Sequence, residues 1–118
     1  MLKTTQVYFI PIVNPDGVSY IEENLKIEGK MPLKRKNGRV SGTCIDSVDE
    51  GVDLNRNYNI SWDVSQPDLN ICGQSYRGVA PFSEPETRSI RDFIMQNKDQ
   101  LKFVVNYHAF GNMFMVPY

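Results

Sequence analysis

Residues 83–108 read SEPETRSIRDFIMQNKDQLKFVVNYH, a helix pattern followed directly by a strand pattern. Ser83, Glu84, Pro85 and Glu86 have the form of a capping box, in which the Ser83 hydroxyl accepts from the Glu86 amide and the Glu86 carboxylate reaches back to Ser83. Beyond them Ile90, Phe93 and Ile94 recur at helical spacing, with Arg88, Arg91 and Asp92 to the outside, so a helix is expected that fades around residues 97–100. Both glutamates lie at the positive end of the helix dipole, which explains Glu84 without catalysis. Residues 101–107 then read as a buried strand. Residues 113–116 read as another, after the break at Ala109-Phe110-Gly111-Asn112.

Upstream, residues 6–13 (QVYFIPIV) form a nearly continuous β-branched and aromatic run, the pattern of a strand covered on both faces, with Pro11 leaving a gap in its ladder. Asn14-Pro15-Asp16-Gly17 reads as a turn that stops it. In residues 18–27 the apolar positions Tyr20, Ile21, Leu25 and Ile27 fit a short helix or an extended segment equally. Residues 28–51 and 66–78 are polar and read as long surface loops. A strand, helix, strand order indicates an α/β fold.

Thirteen Lys and Arg against fourteen Asp and Glu give a formal charge of −1, too balanced for a generic polyanion binder, so nucleic acid is not an expected partner. A hydrophobic share of 41% with 23% charged residues excludes wholesale disorder. No run approaches the roughly 20 apolar residues of a spanning helix, and the first six residues carry no signal-peptide pattern, so no membrane partner is expected either.

Chemistry-bearing residues gather at Lys34-Arg35-Lys36, Asp53-Leu54-Asn55-Arg56-Asn57, Glu84 and Asn106-Tyr107-His108. His108 ends its expected strand, where open α/β sheets bind ligands, although a lone histidine is also an ordinary core or surface residue. Residues 53–57 pack a carboxylate, two amides and a guanidinium together, which suits recognition of a planar carboxylate and equally describes a solvated turn. Cys44 and Cys72 complete no zinc finger or CxxC motif. Bridged, they would close a loop of 28 residues and imply an oxidising compartment; unbridged, they are two free thiols. Asn59-Ile60-Ser61 is a glycosylation sequon, a triplet also common by chance. His108 is the only histidine, and a catalytic zinc usually takes three protein ligands, so this chain does not hold one alone.

Read in order, these residues resemble the zinc carboxypeptidases of the carboxypeptidase A and B type. The matching pieces are residues 10–17 (IPIVNPDG), Arg35-Lys36, Cys44, residues 51–57 (GVDLNRN), Trp62, Cys72, Tyr76-Arg77-Gly78, residues 81–87 (PFSEPET) and His108 ahead of Pro117-Tyr118. The resemblance implies a zinc-dependent hydrolase that removes the C-terminal residue of peptides and proteins with a zinc-bound water and a glutamate base. It implies that Asn55 and Arg56 hold the terminal carboxylate and that Arg35 polarises the scissile carbonyl, though Leu33-Lys34 replaces the usual aromatic context there. It further implies that His108 is the third Zn2+ ligand, that Asp53 orients another ligand histidine, and that Cys44 pairs with Cys72. Phe110 keeps an aromatic wall on the substrate side where the family has a tyrosine after a serine.

The implied fold is part of a mixed, largely parallel sheet flanked by helices, with residues 1–118 as the central portion of one carboxypeptidase domain, truncated at both ends. Non-proline cis peptides are expected between Ala109 and Phe110 and between Pro117 and Tyr118. The family's upstream His-x-x-Glu segment does not occur, and its catalytic glutamate would lie past residue 118, so the isolated chain is expected to bind zinc weakly and hydrolyse nothing. The alternative is a non-catalytic relative that recognises a peptide C-terminus. An extracellular or secretory/vacuolar location follows from the cysteine pair and the family.

Overall fold

The computed structural model describes residues 4–62, 68–109 and 111–116. Its regular elements are helix α1 (Pro15–Glu28), two single-turn 3-10 helices (Ser47–Asp49 and Leu54–Arg56) and helix α2 (Pro85–Asn97). None is long and apolar enough to cross a membrane.

The tetrapeptide expected to form a separate turn instead opens α1. Asn14 is the N-cap, its Oδ1 accepting from the Gly17 amide at 2.9 Å, and Pro15 sits in the first turn, where its missing amide costs nothing. Asn and Pro serve a helix start as well as a β-turn, and the residues that follow decide between them. Residues 18–27 are therefore helical, and Gly29 closes the helix in the left-handed region with its amide on the Leu25 carbonyl. Asn14 also donates through Nδ2 to the Lys36 carbonyl at 3.1 Å, which ties the start of α1 to the loop that carries Arg35.

α2 spans the expected residues, but the capping box does not form. Ser83 Oγ accepts from Asn57 Nδ2 at 2.8 Å and donates to Glu84 Oε1 at 2.7 Å, while Glu86 accepts from Asn37 at 3.2 Å. Glu84 is the N-cap and makes no side-chain capping bond. Partners from distant segments have displaced the local reciprocal pair. The apolar face of α2 is only half covered, with Ile90 and Phe93 half-buried, Phe93 edge-on to Tyr8 at 5.1 Å, and Ile94 exposed.

The buried centre lies where long surface loops were expected. Among the described residues Val52 and Leu54 are the only buried apolar side chains, whereas Lys36, Asn37, Glu50, Asp53, Asn57, Glu84 and Thr87 are buried polar ones. Lys36 Nζ donates to the carbonyls of Asp49, Ile71 (2.6 Å) and Gly73 (3.1 Å), and Lys34 Nζ to those of Ser47 (3.1 Å), Val48 (3.1 Å) and Glu50 (2.6 Å). Each ammonium gathers three backbone carbonyls and holds their segments together. Burial lowers both lysine pKa values. Cys44 and Cys72 are bridged, with Cα atoms 5.5 Å apart, joining the same two loops. Asn37 exchanges two bonds with Val52, amide to carbonyl at 3.0 Å and side-chain oxygen to amide at 2.9 Å. Gly51, at φ 104°, makes that approach feasible, since a Cβ there would stand 2.2 Å from the Asn37 carbonyl oxygen.

The expected sheet is not formed among the described residues. Residues 6–13, 101–107 and 113–116 make no strand, and the only β-type pairing is an isolated parallel bridge between Asp68 and Tyr76. A strand persists only when its backbone groups find a partner and one face is covered. Here Phe9 is 84% and Phe103 78% exposed. The accessible surface of 9859 Å² compares with roughly 6,500 Å² for a compact monomer of this mass. The α/β patterning is thus present as apolar segments without their partners. The two cis peptides expected at Phe110 and Tyr118 lie outside the described residues.

Candidate functional site

Asp53 is the pivot of the best-built polar cluster. Its carboxylate is 2% exposed, and its amide donates to the Tyr76 carbonyl at 2.8 Å, fixing the backbone just before the 3-10 turn Leu54–Arg56. Oδ1 accepts from the Asn55 amide at 3.1 Å and so caps that turn. Oδ2 accepts from Nε and Nη2 of Arg35, both at 2.9 Å, and lies 4.0 Å from Nε of Arg56. Two half-exposed guanidinium groups therefore lean on one buried carboxylate. Two cations against one anion leave uncompensated positive charge facing outward. The Arg56 fork makes no hydrogen bond to a described residue, and Asn55 is exposed beside it. A fork held from behind with open donors in front suits an incoming carboxylate.

The turn is locked by Asn57, which the sequence places in the 53–57 cluster without marking its structural role. Fully buried, it donates through Nδ2 to the carbonyls of Arg77 (2.8 Å) and Ala80 (3.1 Å) and to Ser83 Oγ (2.8 Å). Its Oδ1 accepts from the Glu84 amide at 3.2 Å and from Thr87 Oγ1 at 2.7 Å. Asn57 thus couples the Asn55-Arg56 turn to the start of α2. Glu84 is equally structural: it accepts from Asn37 (2.9 Å), Arg39 (2.8 Å) and Ser83 (2.7 Å). Burial pushes its carboxyl pKa up, but those three donors outweigh the burial and leave it lowered. No local sequence signal marks the structural roles of Asn57 or Asn37, because the partners named here lie 15 to 49 residues away.

Asn55, Arg56, Tyr58, Ile60, Ser61 and Trp62 line a cavity of about 240 Å³. Arg77 stacks 4.2 Å from the Trp62 ring and donates to the Trp62 carbonyl, which fixes one wall.

Of the residues singled out in the sequence, Arg35, Asp53, Asn55 and Arg56 come together. His108 does not join them: it is exposed, with no hydrogen bond or ion pair to that cluster among the described residues. Phe110 lies outside the described residues. The role expected of Asp53, orienting a histidine, has no counterpart among these contacts, where Asp53 serves Arg35 and Asn55 instead. Among the described residues no three His, Cys, Asp or Glu side chains gather into a possible metal site. One exposed imidazole does not fit a zinc ion by itself, and no step through a metal follows from these residues.

The family model described as Zinc carboxypeptidase matches residues 1–118. Mast cell carboxypeptidase A of Rattus norvegicus is 36% identical over 118 residues, covering 100% of this chain and 26% of that protein. Carboxypeptidase O of Homo sapiens is 32% identical over the same length, 29% of that protein, and carboxypeptidase B of Astacus astacus 30%, 36% of that protein. The chain thus spans about a quarter to a third of the length of these relatives. The crystal structure of the carboxypeptidase A from Helicoverpa armigera superimposes with a TM-score of 0.60 at 32% identity, over 78% of this chain and 20% of that one. Over its whole length, then, and with the Asp53, Asn55 and Arg56 cluster built as described, the chain belongs to the zinc carboxypeptidase family.

Proposed function

We propose that this chain is the carboxylate-gripping segment of a zinc-dependent metallocarboxypeptidase, which hydrolyses the C-terminal peptide bond of peptides and proteins. The observation that carries the reading is the uncommitted Arg56 fork beside exposed Asn55, braced by the buried Asp53 carboxylate. Arg56 and Asn55 hold the free carboxylate of the substrate by charge-assisted hydrogen bonds. Arg35, fixed by two bonds to Asp53, presents its remaining donors to the carbonyl being cleaved, where a positioned cation stabilises developing negative charge. His108 contributes one nitrogen to a Zn2+ site whose other ligands come from outside these residues, and Phe110 walls the substrate side.

The chain acts as the central part of a larger carboxypeptidase domain, which its share of the relatives' length supports. The mixed, largely parallel sheet forms there, where segments 6–13, 101–107 and 113–116 find partners. Alone, the 118 residues hydrolyse nothing. The cysteine bridge supports action in an extracellular or secretory compartment.

Steady-state kinetics of the full-length protein test the grip. Arg56→Ala is expected to raise KM for a peptide with a free C-terminus by roughly ten-fold or more, the worth of a charge-assisted bond of about 1.5–3 kcal/mol. An unchanged KM and kcat would refute the assignment. Tight binding of free C-termini by a full-length protein that lacks all hydrolysis would instead identify a non-catalytic relative.

A further inference from the structure

The sequon Asn59-Ile60-Ser61 takes no part in the carboxylate grip, and its placement gives it a separate use. Asn59 and Ser61 are both exposed, and the Asn59 carbonyl accepts from the Trp62 amide at 3.3 Å, so the triplet lies on a tight surface turn. The middle residue is isoleucine rather than the proline that would block the motif. The Asn59 side-chain amide makes no hydrogen bond to a described residue, whereas that of Asn57, two positions earlier, makes three and is fully buried. Tyr58, Ile60, Ser61 and Trp62 line the cavity beside Arg56, and Asn59 does not, so its side chain stands clear of that cavity. The Cys44 to Cys72 bridge fits an oxidising compartment, and the eukaryotic secretory lumen, which provides one, also carries N-glycosylation.

We infer that Asn59 carries an N-linked glycan. The donor is a lipid-pyrophosphate-linked oligosaccharide: the bond from its anomeric carbon to the pyrophosphate oxygen breaks, a bond to Asn59 Nδ2 forms, and the Nδ2 proton leaves with the released lipid pyrophosphate. The glycan rises at the rim of the cavity and shields Ile60, an apolar side chain that is 89% exposed.

The test is peptide mapping of the secreted, full-length protein. Trypsin cuts after Arg56 and Arg77 and, after reduction, releases residues 57–77, which contain Asn57, Asn59 and Asn70. Enzymatic deglycosylation in heavy-oxygen water is expected to convert Asn59 to labelled aspartate and leave Asn57 and Asn70 unchanged. Recovery of that peptide wholly unmodified before deglycosylation, or label on another asparagine, would overturn the inference. A second arm does not need a folded product, because transfer acts on the nascent chain. Translated into microsomes behind a signal peptide, the chain is expected to gain the mass of one glycan, kept in Ser61→Thr and lost in Ser61→Ala and Asn59→Gln. A chain that gains no mass, or a gain that survives Asn59→Gln, would contradict it.

Discussion

Glu50 shows how much order one side chain imposes on a polar loop. It accepts from the Ser41 hydroxyl and amide, both at 2.6 Å, and from the Cys44 and Thr43 amides at 3.0 Å, which holds its carboxyl pKa near 2 rather than the usual 4.5. Because the folded value lies below the unfolded one, the contribution is fully present above about pH 4.5 and is lost as the pH falls through about 2. Glu50→Gln is therefore expected to lower the urea midpoint of the full-length protein at neutral pH and to flatten its slope across that acid window. Equal slopes in both proteins would contradict the arrangement. Asn57 bears more of the site itself. Asn57→Ala leaves the Arg77 carbonyl and the Glu84 amide without these partners, and each buried orphan costs about 1–3 kcal/mol. A loss of at least ~2 kcal/mol in urea unfolding is expected, together with a raised KM as the Arg56 turn loosens.

α2 was legible from its period and its end, and it runs from Pro85 to Asn97 as the sequence indicates. α1 was not, since Tyr20, Ile21, Leu25 and Ile27 do not fall on one clean face and the helix buries only Gly17. What marked it was the Asn-Pro pair, an N-cap followed by a first-turn proline, which in isolation also spells a turn. Asn14→Ala is expected to cost about 1 kcal/mol and to speed amide exchange in the first turn of α1; unchanged exchange would mean that Asn14 does not cap. The loops were legible only as polar. Their buried interior of Lys36, Asn37, Glu50 and Asn57 rests on partners far along the chain, and no local pattern distinguishes a buried, satisfied asparagine from a solvated one. The five residues from Asp53 to Asn57 were legible because chemistry and spacing coincide there, whereas His108 is exposed and lies in no strand among the described residues. Replacing both Cys44 and Cys72 by serine frees a 28-residue loop and is expected to cost about 3–4 kcal/mol. A smaller loss in calorimetry would mean that the Lys34 and Lys36 carbonyl contacts hold the loops by themselves.

Among the described residues the buried side chains are mostly polar, and many large apolar ones are exposed. Its radius of gyration of 16.3 Å exceeds the roughly 13–14 Å of a compact chain this long. Phe9, Phe103, Tyr107 and Phe114 stand in solvent, an arrangement that an independent domain does not sustain. The relatives are three to four times as long, and segments 6–13 and 101–107 have the composition to enter the sheet of the larger domain proposed above. The isolated 118 residues are accordingly expected to bind a dye for exposed apolar surface and to unfold without a cooperative transition, while the full-length protein does neither; a sharp transition in the short chain would contradict this. The central claim, that Arg56 grips a free carboxylate for cleavage beside it, is tested most directly by incubating the full-length protein with one peptide bearing either a free or an amidated C-terminus. Release of a single terminal residue from the free acid, abolished by a chelator and at least ten-fold slower from the amide, is the expected result, whereas equal rates on both peptides, or cleavage at internal bonds, would contradict it.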